Sequence, residues 1–217
     1  MNSLISKNIP QLTLHDSVAK ALQLMDDFEV TELSIVQKDK YIGTINKEDA
    51  LSGNETAAIE TLQDDFTINL VLEQDHFTKA LSIIAEKKLS SIAVLNNDRD
   101  YIGVILATQL TEHVANYIGA FAAGGIVTLS MESINFSFSE ISRLIETHDA
   151  TITQLNTETD VTTGLLQVTI KVNKKEISDI IATLQRFEYN VIAYYGEENY
   201  TNELQENYSH LMHYLNL

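Results

Sequence analysis

The stretch Gly43-Thr44-Ile45-Asn46-Lys47-Glu48-Asp49 holds the densest ligand chemistry in this sequence. A carboxylate at Asp49 can accept hydrogen bonds from two hydroxyls of one ligand, and Asn46 with the open amides of a helix start can hold an anion. The same residues serve equally well as local structure, with Asn46 capping a helix and Asp49 complementing its dipole. Both readings stay open on spacing alone. His210 and His213, three apart, could share a helical face toward a metal, but a third ligand is missing and they read better as interfacial histidines beside Tyr208 and Tyr214. His15, His76, His113 and His148 fall on different elements with no nucleophile at a recognisable spacing. No Gly-x-Ser-x-Gly, phosphate loop or dinucleotide fingerprint occurs. The expectation is a binding protein and not an enzyme, with no metal and no required cofactor, although carboxylates from different elements can converge in a fold.

Composition narrows the partners. The 217 residues carry 31 acidic and 14 basic side chains, a formal net charge of −17, and 44% are apolar, enough for a buried core. A surface field of that sign repels phosphate backbones and anionic lipid, so neither nucleic acid nor a membrane surface is an expected partner. It does not fix the potential inside one cleft. The absence of cysteine removes disulfides, thiolate zinc sites and thiol nucleophiles. Residues 1–13 carry a single lysine and lack the basic and apolar regions of a signal peptide, and residues 118–129 are too short to span a bilayer and are broken by glycines. A cytoplasmic location is expected.

The elements that must position the Gly43–Asp49 stretch come in duplicate. Residues 17–25 align with residues 76–84 around a shared Lys-Ala-Leu, and in both copies apolar residues recur at three- and four-residue steps: Val18, Ala21, Leu22, Met25 and Phe77, Ala80, Leu81, Ile84. Asp16 or Ser17 in the first copy and Asp75 in the second stand where an N-cap is wanted. A β-type run follows each helix, Leu33-Ser34-Ile35-Val36 and Ile92-Ala93-Val94-Leu95. After a polar turn both copies resume with Tyr-Ile-Gly-x-Ile, at Tyr41 and at Tyr101, which predicts a β-hairpin leading into a second helix. The unit helix, strand, strand, helix thus repeats at about sixty residues, and two such units can bury their apolar faces against each other as a pseudo-two-fold pair.

This layout resembles the cystathionine-β-synthase-type (CBS) repeat, which occurs as a tandem pair. The resemblance covers roughly residues 9–117, with repeats at about 9–60 and 67–120 inside a first domain of residues 1–122, and it implies an α/β fold. It also implies a role for the Gly43–Asp49 stretch. In ligand-binding repeats of this kind a glycine, a hydroxyl residue three on and an aspartate three beyond bind an adenine nucleotide (AMP, ADP or ATP), the carboxylate taking the ribose. Asn46 replaces the usual Thr or Ser, and Asp49 keeps the carboxylate. The candidate ligand residues are therefore Gly43, Thr44, Asn46, Asp49 and Thr31, with Thr13, Glu32 and Ser34 beside them. In the second copy Leu106 and Gln109 occupy the two polar positions, so that site is expected to be closed or repurposed.

Beyond Gly124-Gly125 the pattern changes. A strand at 126–131, a helix at 139–148 with Ser139 as its N-cap, strands at 151–155 and 166–172, a helix at 175–187 and a strand at 190–195 give the order βαββαβ, a ferredoxin-like α+β layout over residues 126–196. In the third strand Leu166, Val168, Ile170 and Val172 alternate with Gln167, Thr169 and Lys171, predicting one buried and one wet face. The layout resembles the ACT domain, a small regulatory module. Where ACT domains use a glycine-bearing loop for small ligands, this chain has Asn135-Phe136-Ser137-Phe138-Ser139, which favours packing or a protein contact. Residues 197–217 read as a terminal acidic helix with Leu204, Tyr208, Leu211 and Leu215 on one side. A CBS pair followed by an ACT-like unit also resembles bacterial proteins similar to the acetoin-utilization protein B, a resemblance that implies no particular reaction.

Two functions from different classes follow. In one, a regulatory protein senses an adenine nucleotide in the paired repeats while the ACT-like half mediates pairing, most simply as a homodimer, or signals to a partner protein. In the other, a ligand-free homo-oligomeric scaffold keeps both clefts closed and recruits a partner through its tail helix and sheet edges.

Overall fold

The computed structural model of the chain describes residues 2–196. The terminal helix expected at 197–217, with His210 and His213, lies outside the described residues. The chain divides into two compact units between Val114 and Ala115.

In the N-terminal unit the first repeat comprises α1 (Val18–Asp27), β1 (Glu32–Gln37), β2 (Lys40–Asn46) and α2 (Lys47–Ser52). The second comprises β3 (Leu70–Leu72), α3 (Phe77–Lys87), β4 (Ser91–Leu95), β5 (Tyr101–Leu106) and α4 (Ala107–Tyr117). Each repeat has its own core. Val18, Ala21 and Met25 of α1 pack with Leu33, Ile35 and Ile45, and Phe77, Ala80 and Ile84 of α3 pack with Ile92, Val94 and Ile105. Burying such side chains is worth about 1.5–3 kcal/mol each, which explains why the three- and four-residue apolar spacing survives in both copies. Both first helices end on a left-handed residue that is not glycine, Glu29 and Lys88, with the next amide reaching back to the final turn.

The shared lysine and the aspartate four residues before it have a definite job. Ser17 caps α1, accepting from the Lys20 amide, and His76 caps α3. Asp16 and Asp75 instead clamp the preceding turn. Each accepts from the amide three residues back, Thr13 and Leu72, and pairs with the lysine one helical turn on, Lys20 and Lys79. The bonds from Lys79 and from the Leu72 amide hold the Asp75 carboxyl below its ordinary range. A depressed native value stabilises the fold above the unfolded carboxylate value, and that stability is lost as pH falls through the lowered one. Asp75→Asn is therefore expected to flatten the rise in urea-unfolding midpoint between about pH 2 and pH 5. An unchanged acid limb would refute the clamp.

One feature of the fold was not legible as a repeat. Ser6 pairs with Val104 of the second hairpin through reciprocal amide–carbonyl bonds of 2.7 and 3.0 Å, and Thr67 pairs with Thr44 of the first hairpin at 2.8 and 2.9 Å. The segment ahead of each repeat thus crosses to the other repeat's hairpin. Leu4 belongs to the second core and Phe66 packs on the first. The two crossings differ in length: five residues (7–11) separate Ser6 from Leu12, which pairs parallel to Ile35, whereas three (68–70) separate Thr67 from Val71, its counterpart against Val94.

The C-terminal unit contains β6 (Ile126–Met131), α5 (Phe138–Glu146), β7 (Ile152–Thr159), β8 (Leu166–Val172), α6 (Ser178–Arg186) and β9 (Asn190–Tyr195). Its antiparallel sheet runs β7-β8-β6-β9. Ile141, Leu144, Ile145, Ile180 and Leu184 cover Val127, Leu129, Val168 and Ile170 on one face. Ser137, and not Ser139, caps α5, because its hydroxyl accepts from the Glu140 amide. The other sheet face is only half wet: Lys171 donates to the Gly119 carbonyl and Gln154 to the Tyr117 carbonyl, so residues 117–119 lie across it.

Candidate functional site

The strand pair β1–β2 brings Thr31, Asn46 and Asp49 to one end of the first repeat. The Lys47 amide donates to the Thr31 carbonyl at 2.8 Å, tying the start of α2 to the start of β1. Asn46 caps α2: its Oδ1 accepts from the Asp49 amide at 2.8 Å while its Nδ2 donates to Asp49 Oδ2 at 2.6 Å. The two half-buried side chains therefore satisfy each other, a reciprocal cap of the kind that fixes a short helix.

Gly43 and Thr44 sit further back, beneath the crossing strand. A Cβ on Gly43 would stand 3.0 Å from the Cβ of Phe66 and 3.4 Å from the Thr67 carbonyl oxygen, so this glycine makes room for the crossing. Thr44 is buried, its hydroxyl 2.7 Å from the Tyr41 hydroxyl. Tyr41 also meets the backbone of Asn69, and its burial pushes its phenol upward in pKa. Asn69, itself buried, accepts from Lys87 and donates to Thr67, filling the first hairpin's side of the crossing.

The junction between the repeats is made by a carboxylate. Glu32 is 3% exposed, and its Oε2 accepts from the Thr31 hydroxyl at 2.7 Å. Its Oε1 accepts from the Ser90 hydroxyl at 2.7 Å and from the Ser91 amide. Ser90 in turn accepts from the Thr31 amide at 2.8 Å. Thr31-Glu32 and Ser90-Ser91 stand at the same place in the two repeats, so an acidic residue in one copy is anchored by the amide of its counterpart in the other and by the hydroxyl of the residue before that counterpart. The buried Ser34, also considered from sequence, bonds Tyr101, whose phenol burial likewise pushes up. Thr13 is used by the Asp16 clamp. Sequence reasoning missed Ser90, Ser91, Tyr41 and Asn69; the repeat interval was the signal that could have found the serines.

In the second copy Leu106, the counterpart of Asn46, packs against the first repeat's core, and Gln109 is exposed. The polar pair is absent there. A cleft of about 430 Å³ nevertheless opens at the second hairpin, lined by Lys7, Ile9, Pro10, Gln11 and Tyr101 to Gly103. It lies along the longer of the two crossings. Five residues there span a step that three make on the other side, and Pro10 offers no amide to pair.

In the C-terminal unit Phe136 packs on the core, while Phe138 at the head of α5 is 53% exposed. A cleft of about 480 Å³ beside them is lined by Ser130, Glu132, Asn135, Glu140, Phe187 and Tyr189 among others, and the Tyr189 hydroxyl donates to Glu140 at 3.1 Å. Among the described residues no group of three or more histidines and carboxylates could hold a metal, and no helix is long and apolar enough to cross a membrane.

Comparison with known proteins finds a family model that matches part of this chain. The model of the CBS domain matches residues 2–53, a span that includes Thr31, Glu32, Asn46 and Asp49. No curated protein matches the chain. Among solved structures, a CBS domain pair/ACT domain protein from Thermotoga maritima is similar over 54% of this chain and 96% of its own, with a TM-score of 0.48 and 17% identity. The CBS domains of a transcriptional regulator from Streptococcus pneumoniae are similar over 50% and 91%, at 0.44 and 15%. CBSX2 in complex with AMP is similar over 53% and 95%, at 0.46 and 17%.

Proposed function

We propose that this chain is a non-enzymatic regulatory protein whose paired repeats take an adenosine ligand, an adenine nucleotide or its nucleoside, at the end of the first repeat marked by Thr31, Asn46 and Asp49. The observation that carries the reading is the placement of Asp49 and Asn46, half-buried and within a region matched by the CBS domain model, beside a junction made by residues of both repeats. Asp49 supplies a carboxylate for the ribose diol and Asn46 an amide that can turn from Asp49 to the ligand. Thr31 is joined to both repeats, so a ligand held there acts on their mutual arrangement. It shifts that arrangement only by its difference in affinity for the two states. Gly43 and Thr44 support the site from behind, by admitting the crossing strand and by holding Tyr41. The C-terminal unit, ACT-like in the order of its elements, is assigned to homodimer formation or to passing the signal to a partner protein in the cytoplasm.

The reciprocal Asn46–Asp49 bond favours a second reading, in which the cleft stays closed and the chain is a ligand-free homo-oligomeric scaffold. One titration separates the two. Adenosine, AMP, ADP and ATP are added to the full chain and to Asp49→Ala, with binding followed by calorimetry and size by light scattering. The proposal expects heat with at least one ligand and a loss of about tenfold or more in affinity on removing the carboxylate. Dimers with no heat from any of them would establish the scaffold instead.

A further inference from the structure

We infer that Glu32 makes this site select an adenosine ligand with little or no phosphate, so that the neutral nucleoside binds in preference to AMP, and AMP in preference to ATP. The inference rests on the reading of Thr31, Asn46 and Asp49 as ligand contacts. Three donors converge at the junction of the repeats: the Thr31 hydroxyl, the Ser90 hydroxyl and the Ser91 amide. A hydroxyl pair and an amide drawn from both repeats form the kind of cradle that a phosphate oxygen would use. Here all three are committed to a carboxylate of the chain itself, 3% exposed. The place for an anion is already taken by an anion.

Charge works in the same direction. Glu32 lies directly opposite Asn46 in the β1–β2 register, and residues so paired present their side chains on the same sheet face. Asp49 adds a second carboxylate, bonded to that same Asn46. The cation next to it in sequence, Lys47, pairs with Asp26. A phosphate entering here meets two carboxylates in a partly buried setting, where like charges repel far more than in water. A ribose brings hydroxyl donors, which the Asp49 carboxylate accepts. The site complements a sugar and opposes a phosphate.

The test uses the full chain with adenosine, AMP and ATP, measured by calorimetry in the unaltered protein and in Glu32→Gln, which keeps the shape and an acceptor oxygen but removes the charge. In the unaltered protein adenosine is expected to bind about tenfold tighter than AMP, with ATP weaker again. In Glu32→Gln the affinity for AMP is expected to rise about fivefold or more while that for adenosine changes less than about twofold. AMP or ATP binding tighter than adenosine in the unaltered chain overturns the inference whether or not the variant folds. So does an adenosine-to-AMP ratio that Glu32→Gln leaves unchanged. Those results leave the adenosine site standing, whereas no binding by any of the three removes the site and the inference together.

Discussion

Replacing Gly103 by alanine is expected to cost the N-terminal unit about 3 kcal/mol, the sum of an unfavourable backbone conformation and a backbone clash. Gly103 has φ of +143°, a conformation that side-chain-bearing residues rarely adopt. A Cβ there would stand 2.6 Å from the Ser6 carbonyl oxygen and 2.8 Å from Ile5 Cγ2. Ser6 cannot step aside, because its amide and carbonyl are both bonded to Val104, one residue along. The alanine must therefore either strain β5 or lift the crossing segment off the second hairpin, taking Ile5 and Leu4 out of the second core. Amide exchange at Ser6 and Val104 reads this directly, since local opening sets their protection. Protection should fall by two or more orders of magnitude, roughly what 3 kcal/mol implies. Gly43→Ala makes a contrast within the same molecule: its backbone is ordinary and its nearest contact is the Phe66 Cβ at 3.0 Å, so a cost nearer 1 kcal/mol is expected. Equal effects at the two glycines would refute the account of the crossings.

Removing the buried carboxylate at the repeat junction should be as damaging. Glu32→Ala is expected to destabilise the N-terminal unit by about 3 kcal/mol, because it removes three hydrogen bonds to a carboxylate, from the Thr31 and Ser90 hydroxyls and the Ser91 amide, and leaves the amide of the buried Ser91 without its acceptor. Buried polar groups without partners lose their hydration and recover nothing for it. Glu32→Gln retains an acceptor and should cost only about 1 kcal/mol. Urea unfolding followed by far-ultraviolet circular dichroism measures both variants, and the ordering matters more than the sizes. If alanine and glutamine behave alike, the three bonds to Glu32 contribute nothing and the repeats are held together without them.

Much of the architecture was written in local pattern. The apolar spacing around Lys20-Ala21-Leu22 and Lys79-Ala80-Leu81 fixes two helices, since a face of that period is buried only in a helix. Tyr-Ile-Gly-x-Ile after a polar turn fixes two hairpins, and Lys38 and Asp39, both left-handed, close the first with two residues. The alternation from Leu166 to Val172 fixes β8, and the last strand begins at Asn190 and ends at Tyr195 as its composition suggests. Element ends were harder to place. Ser137 and Ser139 are both able caps, and only the backbone geometry ahead of α5 chooses between them.

The sequence by itself determined that two like units exist, where their helices and hairpins lie, and which polar residues end the first hairpin, because each of these depends on neighbours a few residues away. The tertiary structure alone decided that Ser6 and Thr67 cross between the repeats, that Gly43 and Gly103 are there to admit them, and that Glu32 is held by Ser90 and Ser91 from the other copy. The physical reason is distance along the chain: a hydrogen bond across 58 or 59 residues leaves no periodic trace, and its partner becomes known only once both repeats have folded and met.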